Sequence, residues 1–413
     1  MNVVVLSDYG YVSGGASQVA ISSLNALADR VDRVIFVSAV GPVDESIDRG
    51  KVYVVNFGLN DLLTNPSRFS AAIRGIWDEE CARKLGEVLA NFDPAETVVH
   101  LHTWVKALSP SVVGECTRLG FNIVCTLHDY FSICPNGGLF DYQKRELCNL
   151  KPMSFECMTR HCDARNYGHK LWRVVRQFVQ KHIGGIPGDI GNYISVSELS
   201  ERLIRPYFRP EAHVYRIRNP IDVPHASPAS PELNDGFIFV GRFSREKGGG
   251  LFAEAARKAG IVSKFAGSGD EEHLIRQVYP SAFFYGWLGR EEVLRKISSS
   301  RALVFPSLWY ETQGMVVSEA AALGVPSIVS DACAARDSIV DGETGLLFRA
   351  GDCADLAEKL RMFDNDAELA GRMGRAAYER FWSDPPTLEG HVKGLVECYR
   401  TALTDSFQPV LKK

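Results

Sequence analysis

The chain has 413 residues, of which 46% are hydrophobic and 23% charged; this is too long for one ordinary core and typical of a folded protein with two domains. The net charge of -4 argues against a general nucleic-acid-binding protein, so we expect no nucleic-acid partner. The first residues turn polar too soon for a signal peptide, and no apolar run is long enough to span a bilayer. We therefore expect a cytoplasmic protein, or one that is peripheral on the inner face of a membrane.

The first half of the chain alternates short apolar runs with helical patterns. The runs have the length and composition of buried parallel strands, and they lie at 3–6, 34–37, 52–55, 97–101 and 123–127. A glycine-containing loop and a helical pattern follow the first run, and further helices are predicted over 66–91 and 109–119. This alternation predicts an α/β domain with a parallel sheet.

The alternation stops after Asp129. Residues 130–168 are rich in Cys, Asn, Gly and Pro and show no period, which indicates an insertion after a strand. A basic amphipathic helix is predicted from Leu171 to His182. Its pattern fits an ordinary surface helix, and it also fits a helix that contacts a membrane surface or an anionic acceptor.

The segment from Asn219 to Pro231 is rich in turns and prolines, and we place the domain boundary near residue 220. Beyond it, strand and helix patterns alternate again from Phe237 onwards and predict a second sheet of the nucleotide-binding type. A last amphipathic helix is predicted over 387–404, before a polar tail.

Two carboxylates with seven residues between them lie in a predicted strand-loop-helix-strand unit. Glu311 lies in the loop, Glu319 lies inside the helix, and Gly314 between them lets the backbone approach a ligand. A helix N-terminus at this place suits a phosphate. The pattern predicts a site for a diphosphate with hydroxyl-bearing groups at both ends, although a carboxylate pair on a helix is also typical of a solvated face.

A pair of cations follows the first strand of the second half. Arg242 and Lys247 fall at the carboxyl edge of the predicted sheet, where open α/β sheets bind their ligands. The forked guanidinium and the compact ammonium together can hold a diphosphate and stabilise it as it leaves.

These motifs together resemble retaining glycosyltransferase family 4, the glycosyl transferases group 1, which has the GT-B fold. The resemblance covers most of the chain. Its carboxyl-terminal motifs are Gly241-Arg242-x4-Lys247-Gly248, Glu311-x7-Glu319 with Gly314, Gly324-x-Pro326, and Asp341-Gly-x-x-Gly345-Leu-Leu-Phe. Its amino-terminal motifs are Gly14-Gly15, His100-Leu-His102, Thr126-Leu-His128-Asp129, Ser195-Val-Ser197 and Asn219-Pro-Ile-Asp222.

The resemblance implies an α/β protein with the GT-B fold, in which two Rossmann-like domains, each with a parallel sheet, face a central cleft. The acceptor-side domain is expected over 1–219, with the Cys-rich insertion near 130–168. The nucleotide-sugar-binding domain is expected over 220–385. The helix and tail over 386–413 are expected to pack back on the first domain.

The resemblance also implies roles for residues of the second domain. Arg242 and Lys247 would contact the donor diphosphate, and Glu319 would bind the ribose hydroxyls. Glu311 and the amides near Gly314 and Met315 would hold the transferred sugar.

Four further residues are implied from both domains. Trp287 and Leu288 resemble the segment that lines the nucleobase, and Gly15 would bring backbone amides to the phosphate from the first domain. His128 would lie near the anomeric carbon, although a lone histidine after a strand is also typical of a hydrogen-bonded core residue. The family requires no metal, since Arg and Lys take the place of a cation at the leaving diphosphate.

The insertion concentrates four of the ten cysteines, and these four could supply thiolates to a structural zinc ion: Cys134, Cys148, Cys157 and Cys162. Their spacing lacks the closely paired cysteines of a typical zinc site, so separate thiols or an acceptor-facing loop remain alternatives.

The predicted function is transfer of a hexosyl residue, with retention, from a nucleotide diphosphate sugar to a hydroxyl acceptor. The expected acceptor is a glycan or lipid-linked glycan in polysaccharide biosynthesis, with peripheral membrane contact as a further expectation. No cofactor is expected. A catalytically silent GT-B scaffold subunit is the alternative, and a nicotinamide-dependent dehydrogenase is disfavoured because no G-x-G-x-x-G opens either first helix.

Overall fold

The computed structural model describes residues 1–404, so the predicted tail beyond residue 404 lies outside the described residues. Its strands, in chain order, are β1 (Asn2–Tyr9), β2 (Arg33–Val40), β3 (Val52–Asn56), β4 (Thr97–Leu101), β5 (Asn122–Thr126), β6 (Phe140–Asp141), β7 (Glu146–Leu147), β8 (Asn192–Ser195), β9 (His213–Arg216), β10 (Phe237–Val240), β11 (Ser263–Ala266), β12 (Phe283–Gly286), β13 (Ala302–Phe305), β14 (Ser327–Ser330) and β15 (Gly345–Phe348).

The α-helices, in chain order, are α1 (Gly15–Ala28), α2 (Arg68–Ile76), α3 (Glu79–Leu89), α4 (Ser111–Arg118), α5 (Phe155–Thr159), α6 (Tyr167–His182), α7 (Glu198–Ile204), α8 (Gly249–Ala259), α9 (Glu272–Val278), α10 (Arg290–Ser298), α11 (Met315–Ala322), α12 (Cys353–Asn365), α13 (Ala367–Ser383) and α14 (Leu388–Thr404).

The chain divides into two compact units. Among the described residues, the first consists of residues 1–138, 150–220 and 386–404, and the second of residues 139–149 and 221–385. The hairpin of β6 and β7 therefore belongs to the second unit by its contacts, although its sequence lies in the insertion of the first half. Within the second unit, Arg145 of this hairpin forms an ion pair of 3.3 Å with Glu271.

The first unit is built on a seven-stranded parallel sheet in the order β3-β2-β1-β4-β5-β8-β9. Its central strands are apolar and covered on both faces, as the uninterrupted valine and isoleucine runs predict. Helix α14 lies in this unit and adds Leu395 and Tyr399 to the core that contains Val5 and Phe36.

The second unit has a six-stranded parallel sheet in the order β12-β11-β10-β13-β14-β15. One face is packed by α8 and α12 with a phenylalanine-rich core that includes Phe239, Phe252 and Phe265. The other face is packed by α10 and α11, which contribute Ile297 and Val317. The strand order reverses direction between β10 and β13, and this reversal positions the site.

The helix predicted over 66–91 is two helices, α2 and α3. Trp77 between them is extended, and Asp78 accepts a hydrogen bond of 3.1 Å from the amide of Cys81 as the N-cap of α3. Glu79 and Glu80 in the first turn add the acidic start that favours a new helix.

Candidate active site

The predicted donor residues converge on the switch point of the second sheet. The chain winds outwards from β10 through β11 to β12 and then returns to β13, which lies beside β10. The chain therefore leaves β10 and β13 in opposite directions, and the loops that follow these strands border the crevice at the carboxyl edge, where open α/β sheets bind ligands. Arg242 and Lys247 lie in the first of these loops, and Glu311 lies in the second.

Gly248 brings these two loops together. Its backbone is left-handed, with φ of 73°, and a side chain at this position would overlap the carbonyl oxygen of Pro306 in the neighbouring loop. A hydrogen bond also joins the two loops, since the amide of Leu308 donates to the carbonyl oxygen of Glu246 at 2.8 Å. Glycine is required here because only a residue without Cβ permits so close an approach.

Lys247 and Glu311 form an ion pair between the two loops. The ammonium donates to both carboxylate oxygens, at 2.8 and 2.6 Å. The same carboxylate accepts hydrogen bonds from Trp309 Nε1 at 2.9 Å and from Ser307 Oγ at 3.2 Å. Because both members of the pair are largely buried, the ammonium is held at a fixed place at the mouth of the crevice.

Arg242 is placed differently. Its side chain is 65% exposed, and its nearest acidic partner is Glu246, at 3.7 Å. The guanidinium is thus a largely solvated cation at the same edge as Lys247, and it can turn towards an anion without breaking a strong ion pair.

Helix α11 begins at the edge of this crevice. Gly314 precedes its first residue, Met315, in a left-handed conformation with φ of 78°. A Cβ at Gly314 would lie 2.7 Å from the Cβ of Ala335 and 3.1 Å from the ring of Phe305, so the position excludes other residues. The positive end of the helix dipole at Met315 favours an anionic or hydroxyl-rich group there.

Glu319 lies one turn into α11 and is buried. Arg290, the first residue of α10, donates from Nη1 to Glu319 Oε1 at 2.9 Å. Burial raises the pKa of Glu319 above its usual value, and the charge of Arg290 opposes that rise. Arg290 was not foreseen, because a partner 29 residues away leaves no local signal in the sequence.

Trp287 and Leu288 lie at the end of β12, two strands away from β10. Trp287 is 79% exposed, so its indole is open to a planar partner. Two residues later the chain reaches Arg290, which contacts Glu319. The segment is therefore tied to the same region of the second unit as the buried carboxylate.

In the first unit, Gly15 is the first residue of α1 and follows β1 through a glycine loop. This strand is central, between β2 and β4, so the N-terminus of α1 also lies at the carboxyl edge of a parallel sheet. Buried Asp8 holds the neighbouring loop by accepting backbone hydrogen bonds from Ala107 at 2.8 Å and Leu108 at 2.9 Å.

His128 belongs to a row of three histidines. The Nε2 atom of His128 lies 3.0 Å from Nδ1 of His102. The rings of these two histidines stack, with their centroids 5.2 Å apart. The ring of His102 lies 4.1 Å from that of His100, which lies within hydrogen-bond distance of Tyr399 and Thr126. Two sequence motifs contain these three histidines, but they could not show that the rings are in contact.

Burial keeps these histidines neutral. It lowers the pKa of His128 to about 3, and it lowers those of His100 and His102 well below the usual value. The pKa of the adjacent Asp129 shifts upwards instead, because burial raises it to about 6. At neutral pH, His128 can therefore donate or accept a hydrogen bond without carrying charge.

A pH-dependent stability should follow from His128. The unfolded chain binds a proton below about pH 6.5, whereas the folded protein binds it only near pH 3. The contribution of a neutral His128 is therefore present above pH 6.5 and is lost as the pH falls. When the pH is lowered from about 8 to about 5, the free energy of unfolding should fall in both proteins. We expect the fall to be about 2 kcal/mol larger in the wild type than in His128→Asn.

Urea denaturation of both proteins at the two pH values measures this difference. Comparing the two proteins cancels most of the opposing contribution of Asp129, which both retain. Equal losses in the wild type and the variant would contradict a depressed pKa at His128.

Two cysteines of the insertion, Cys157 and Cys162, lie beside a buried lysine. Lys170 is buried, and its ammonium lies 3.8 Å from the sulfur of Cys157. Cys162 accepts from Asn136 Nδ2 at 3.1 Å, and burial raises its pKa to about 11, so it is a neutral thiol. Cys148 lies in the hairpin assigned to the second unit. Within residues 1–404, no group of three or more His, Cys, Asp or Glu side chains is arranged to hold a metal ion.

Among the described helices, none is both long and apolar enough to cross a membrane.

The two units have the architecture of the GT-B glycosyltransferases. Sucrose-phosphate synthase from Thermosynechococcus elongatus is 18% identical, with a TM-score of 0.72 over 98% of this chain and 99% of that chain. Anabaena Alr3699/HepE in complex with UDP is 16% identical, with a TM-score of 0.66 over 97% of this chain and 100% of that chain. The predicted GT-B fold, with a parallel sheet in each unit, is confirmed.

Residues 224–380 match the family described as glycosyl transferases group 1. Glycogen synthase from Mycobacterium tuberculosis is 30% identical over 187 residues, which are 42% of this chain and 45% of that protein. The match lies within the second unit and agrees with the predicted resemblance to the glycosyl transferases group 1. Since the chain spans less than half of that relative's length, the match does not carry over that protein's reaction. The narrower assignment to retaining family 4 stays a prediction.

Proposed function

We propose that the protein is a retaining glycosyltransferase of family 4 that transfers a hexosyl residue from a nucleotide diphosphate sugar to a hydroxyl acceptor. The observation that carries the proposal is the pairing of Lys247 with Glu311 across the switch point, beside the start of α11. This arrangement offers a fixed cation for a diphosphate and a carboxylate for sugar hydroxyls at one sheet edge. The UDP in the complex of Anabaena Alr3699/HepE supports a nucleotide as the donor.

The reaction breaks the bond between the anomeric carbon and the diphosphate oxygen, and the diphosphate leaves with the electron pair. The acceptor oxygen bonds to the anomeric carbon and passes its proton to the oxygen of the leaving diphosphate. The charge that develops on the leaving diphosphate would be stabilised by Lys247 and by Arg242, whose weakly paired guanidinium can move towards it. Preorganised cations can do this without a metal ion, so we propose that none is required.

Glu319 and Glu311 would bind the two ends of the donor. The carboxylate of Glu319, held by Arg290 at 2.9 Å, would accept hydrogen bonds from the ribose hydroxyls. Glu311 and the first amides of α11, near Gly314 and Met315, would hold the transferred sugar.

The nucleobase and the first unit complete the proposed site. Trp287 and Leu288 would line the nucleobase, for which the open face of the indole is suited. Gly15 would present backbone amides to the phosphate, and His128, neutral at physiological pH, would hydrogen-bond a sugar hydroxyl without repelling positive charge at the anomeric carbon.

For the acceptor, we propose a glycan or lipid-linked glycan in polysaccharide biosynthesis, with the enzyme working in the cytoplasm or peripherally on the inner face of a membrane. The feature that supports membrane contact is the exposed apolar side of α6, which carries Leu171, Val175 and Phe178. A silent scaffold subunit is the competing function. It is disfavoured because the chain has all four of the cations and carboxylates that we propose for the donor site, and two of them are paired across the crevice.

A thermal-shift panel of UDP-, GDP-, ADP- and dTDP-sugars tests the donor site. At about one hundred times its dissociation constant, the correct donor is expected to stabilise the wild type by about 2.7 kcal/mol. Glu319→Ala should lose that shift, because it removes the hydrogen-bond acceptor for the ribose. Glu358→Ala, which removes an exposed carboxylate on α12 of the same unit, should keep it. No shift of the wild type with any donor would favour the silent scaffold.

A further inference from the structure

The inward face of α6 is polar. It buries four residues with charged or amide side chains: Lys170, Arg176, Gln177 and Gln180. Gln180 Nε2 donates to the carbonyl oxygen of Phe131 at 2.8 Å, and Arg176 Nη2 donates to that of Pro135 at 3.2 Å. Buried polar groups need such partners, so this side of the helix is occupied in holding the loop that follows His128.

The outward face of α6 is apolar. Leu171, Val175 and Phe178 follow each other at spacings of four and three residues, which places them on one stripe of the helix. All three side chains are exposed, and that of Phe178 is the most exposed, at 57%. The helix is thus inverted relative to an ordinary surface helix, whose apolar side faces the core.

Helix α2 extends this apolar surface. Phe69 is 78% exposed and Ile73 is exposed one turn later, on the same side of α2. The two helices are joined by Trp172 of α6, whose Nε1 donates to the carbonyl oxygen of Ala72 at 2.9 Å. We name the combined surface the apolar face; it consists of Phe69, Ile73, Leu171, Val175 and Phe178. A contiguous apolar surface of this kind marks an interaction site.

The charges around the apolar face identify its partner. Neither α2 nor α6 contains an aspartate or glutamate. Arg68, Arg165 and Lys181 are exposed at or beside the ends of the two helices. A second copy of the chain docked through the same face would bring these cations against each other, whereas an anionic lipid surface would be attracted to them.

We propose that the apolar face docks on the surface of an anionic lipid bilayer, with α2 and α6 lying in the headgroup region. The apolar side chains would enter the acyl boundary while the flanking cations bind lipid phosphates. The inward polar face of α6 would then connect the bilayer surface to the loop after His128. This proposal deepens the peripheral membrane contact of the proposed function, and its link to a lipid-linked acceptor rests on that function.

Vesicle sedimentation with the full-length protein tests the proposal. Phosphatidylcholine vesicles with and without phosphatidylglycerol are compared for the wild type, for Phe69→Ser/Phe178→Ser and for Tyr53→Ser. Tyr53 is 68% exposed on the edge strand β3 of the same unit and outside the apolar face, so it is a matched control. We expect the wild type and Tyr53→Ser to bind anionic vesicles and the double variant to bind at least about tenfold more weakly. Added salt should weaken binding by the wild type.

Failure of the wild type to bind anionic vesicles, or equal binding by the double variant, would overturn the proposal. Self-association that the double variant abolishes, without vesicle binding by the wild type, would overturn it in favour of a second copy. The nucleotide-sugar thermal shift of the same preparations separates the two proposals. A retained shift without vesicle binding refutes the membrane face alone, and vesicle binding without a shift refutes the donor site alone.

Discussion

Replacement of Lys247 with alanine is expected to lower the rate of sugar transfer by about 10²–10³-fold, the usual effect of removing one preorganised donor from a developing charge. The ammonium is fixed by two hydrogen bonds to Glu311, at 2.8 and 2.6 Å, and therefore needs little reorganisation when the diphosphate leaves. The variant also leaves Glu311 largely buried with only Trp309 and Ser307 as donors. Nucleotide release from the donor found in the thermal-shift panel measures the rate.

Two variants make this result interpretable. Lys258→Ala removes an exposed lysine from α8, the helix that begins just after Lys247, and it should keep the wild-type rate. Lys247→Arg keeps the charge but not the compact geometry, so we expect a rate between those of alanine and wild type. If Lys247→Ala is folded and transfers sugar at the wild-type rate, Lys247 has no role at the diphosphate.

Replacement of Gly248 with alanine is expected to lower the free energy of unfolding by about 3–5 kcal/mol, which is large for a single methyl group. The new Cβ would overlap the carbonyl oxygen of Pro306, and the residue would also be held at φ of 73°. This overlap can be removed only if the loops after β10 and β13 move apart. We therefore expect the variant to lose donor binding together with stability, because Lys247 and Glu311 lie on those two loops.

Gly250→Ala is the matched control, two residues further along. No heavy atom lies within 4 Å of the position that its Cβ would take, and the residue is helical. Alanine there should leave stability unchanged or raise it by about 0.5–1 kcal/mol. Urea denaturation of both variants gives the comparison, and equal unfolding free energies would show that the two loops do not meet as described.

Most of the fold could be predicted from the sequence because its strands are buried on both faces. A strand such as β4 (Thr97–Leu101) appears as a short uninterrupted apolar run, and glycine loops mark the turns that follow β1 and β10. The long helix predicted over 66–91 was wrong, although the signal for its break was present in Asp78-Glu79-Glu80. The spacing of apolar residues alone does not show where one helix ends and the next begins.

The candidate site was predictable only where its residues lie in local motifs. Arg242, Lys247, Glu311 and Glu319 stand next to strands or a glycine turn, so the sheet edge could be inferred. The partner of Glu319 could not, since Arg290 belongs to another helix and the contact depends on packing. The sequence also could not show which face of α6 is buried. The helix has a polar and an apolar face, and the polar face is buried because carbonyl oxygens of residues 131–136 accept hydrogen bonds from its side chains.

The most direct test of the donor site is a crystal structure of the protein with the nucleotide diphosphate sugar that gives the largest thermal shift. We expect diphosphate oxygens within hydrogen-bond distance of Lys247 and Arg242. We also expect ribose hydroxyls on Glu319 and the hexose beside Glu311 and the first amides of α11. A nucleotide bound elsewhere, with the Lys247–Glu311 pair and the crevice between β10 and β13 untouched, would contradict the proposed donor site.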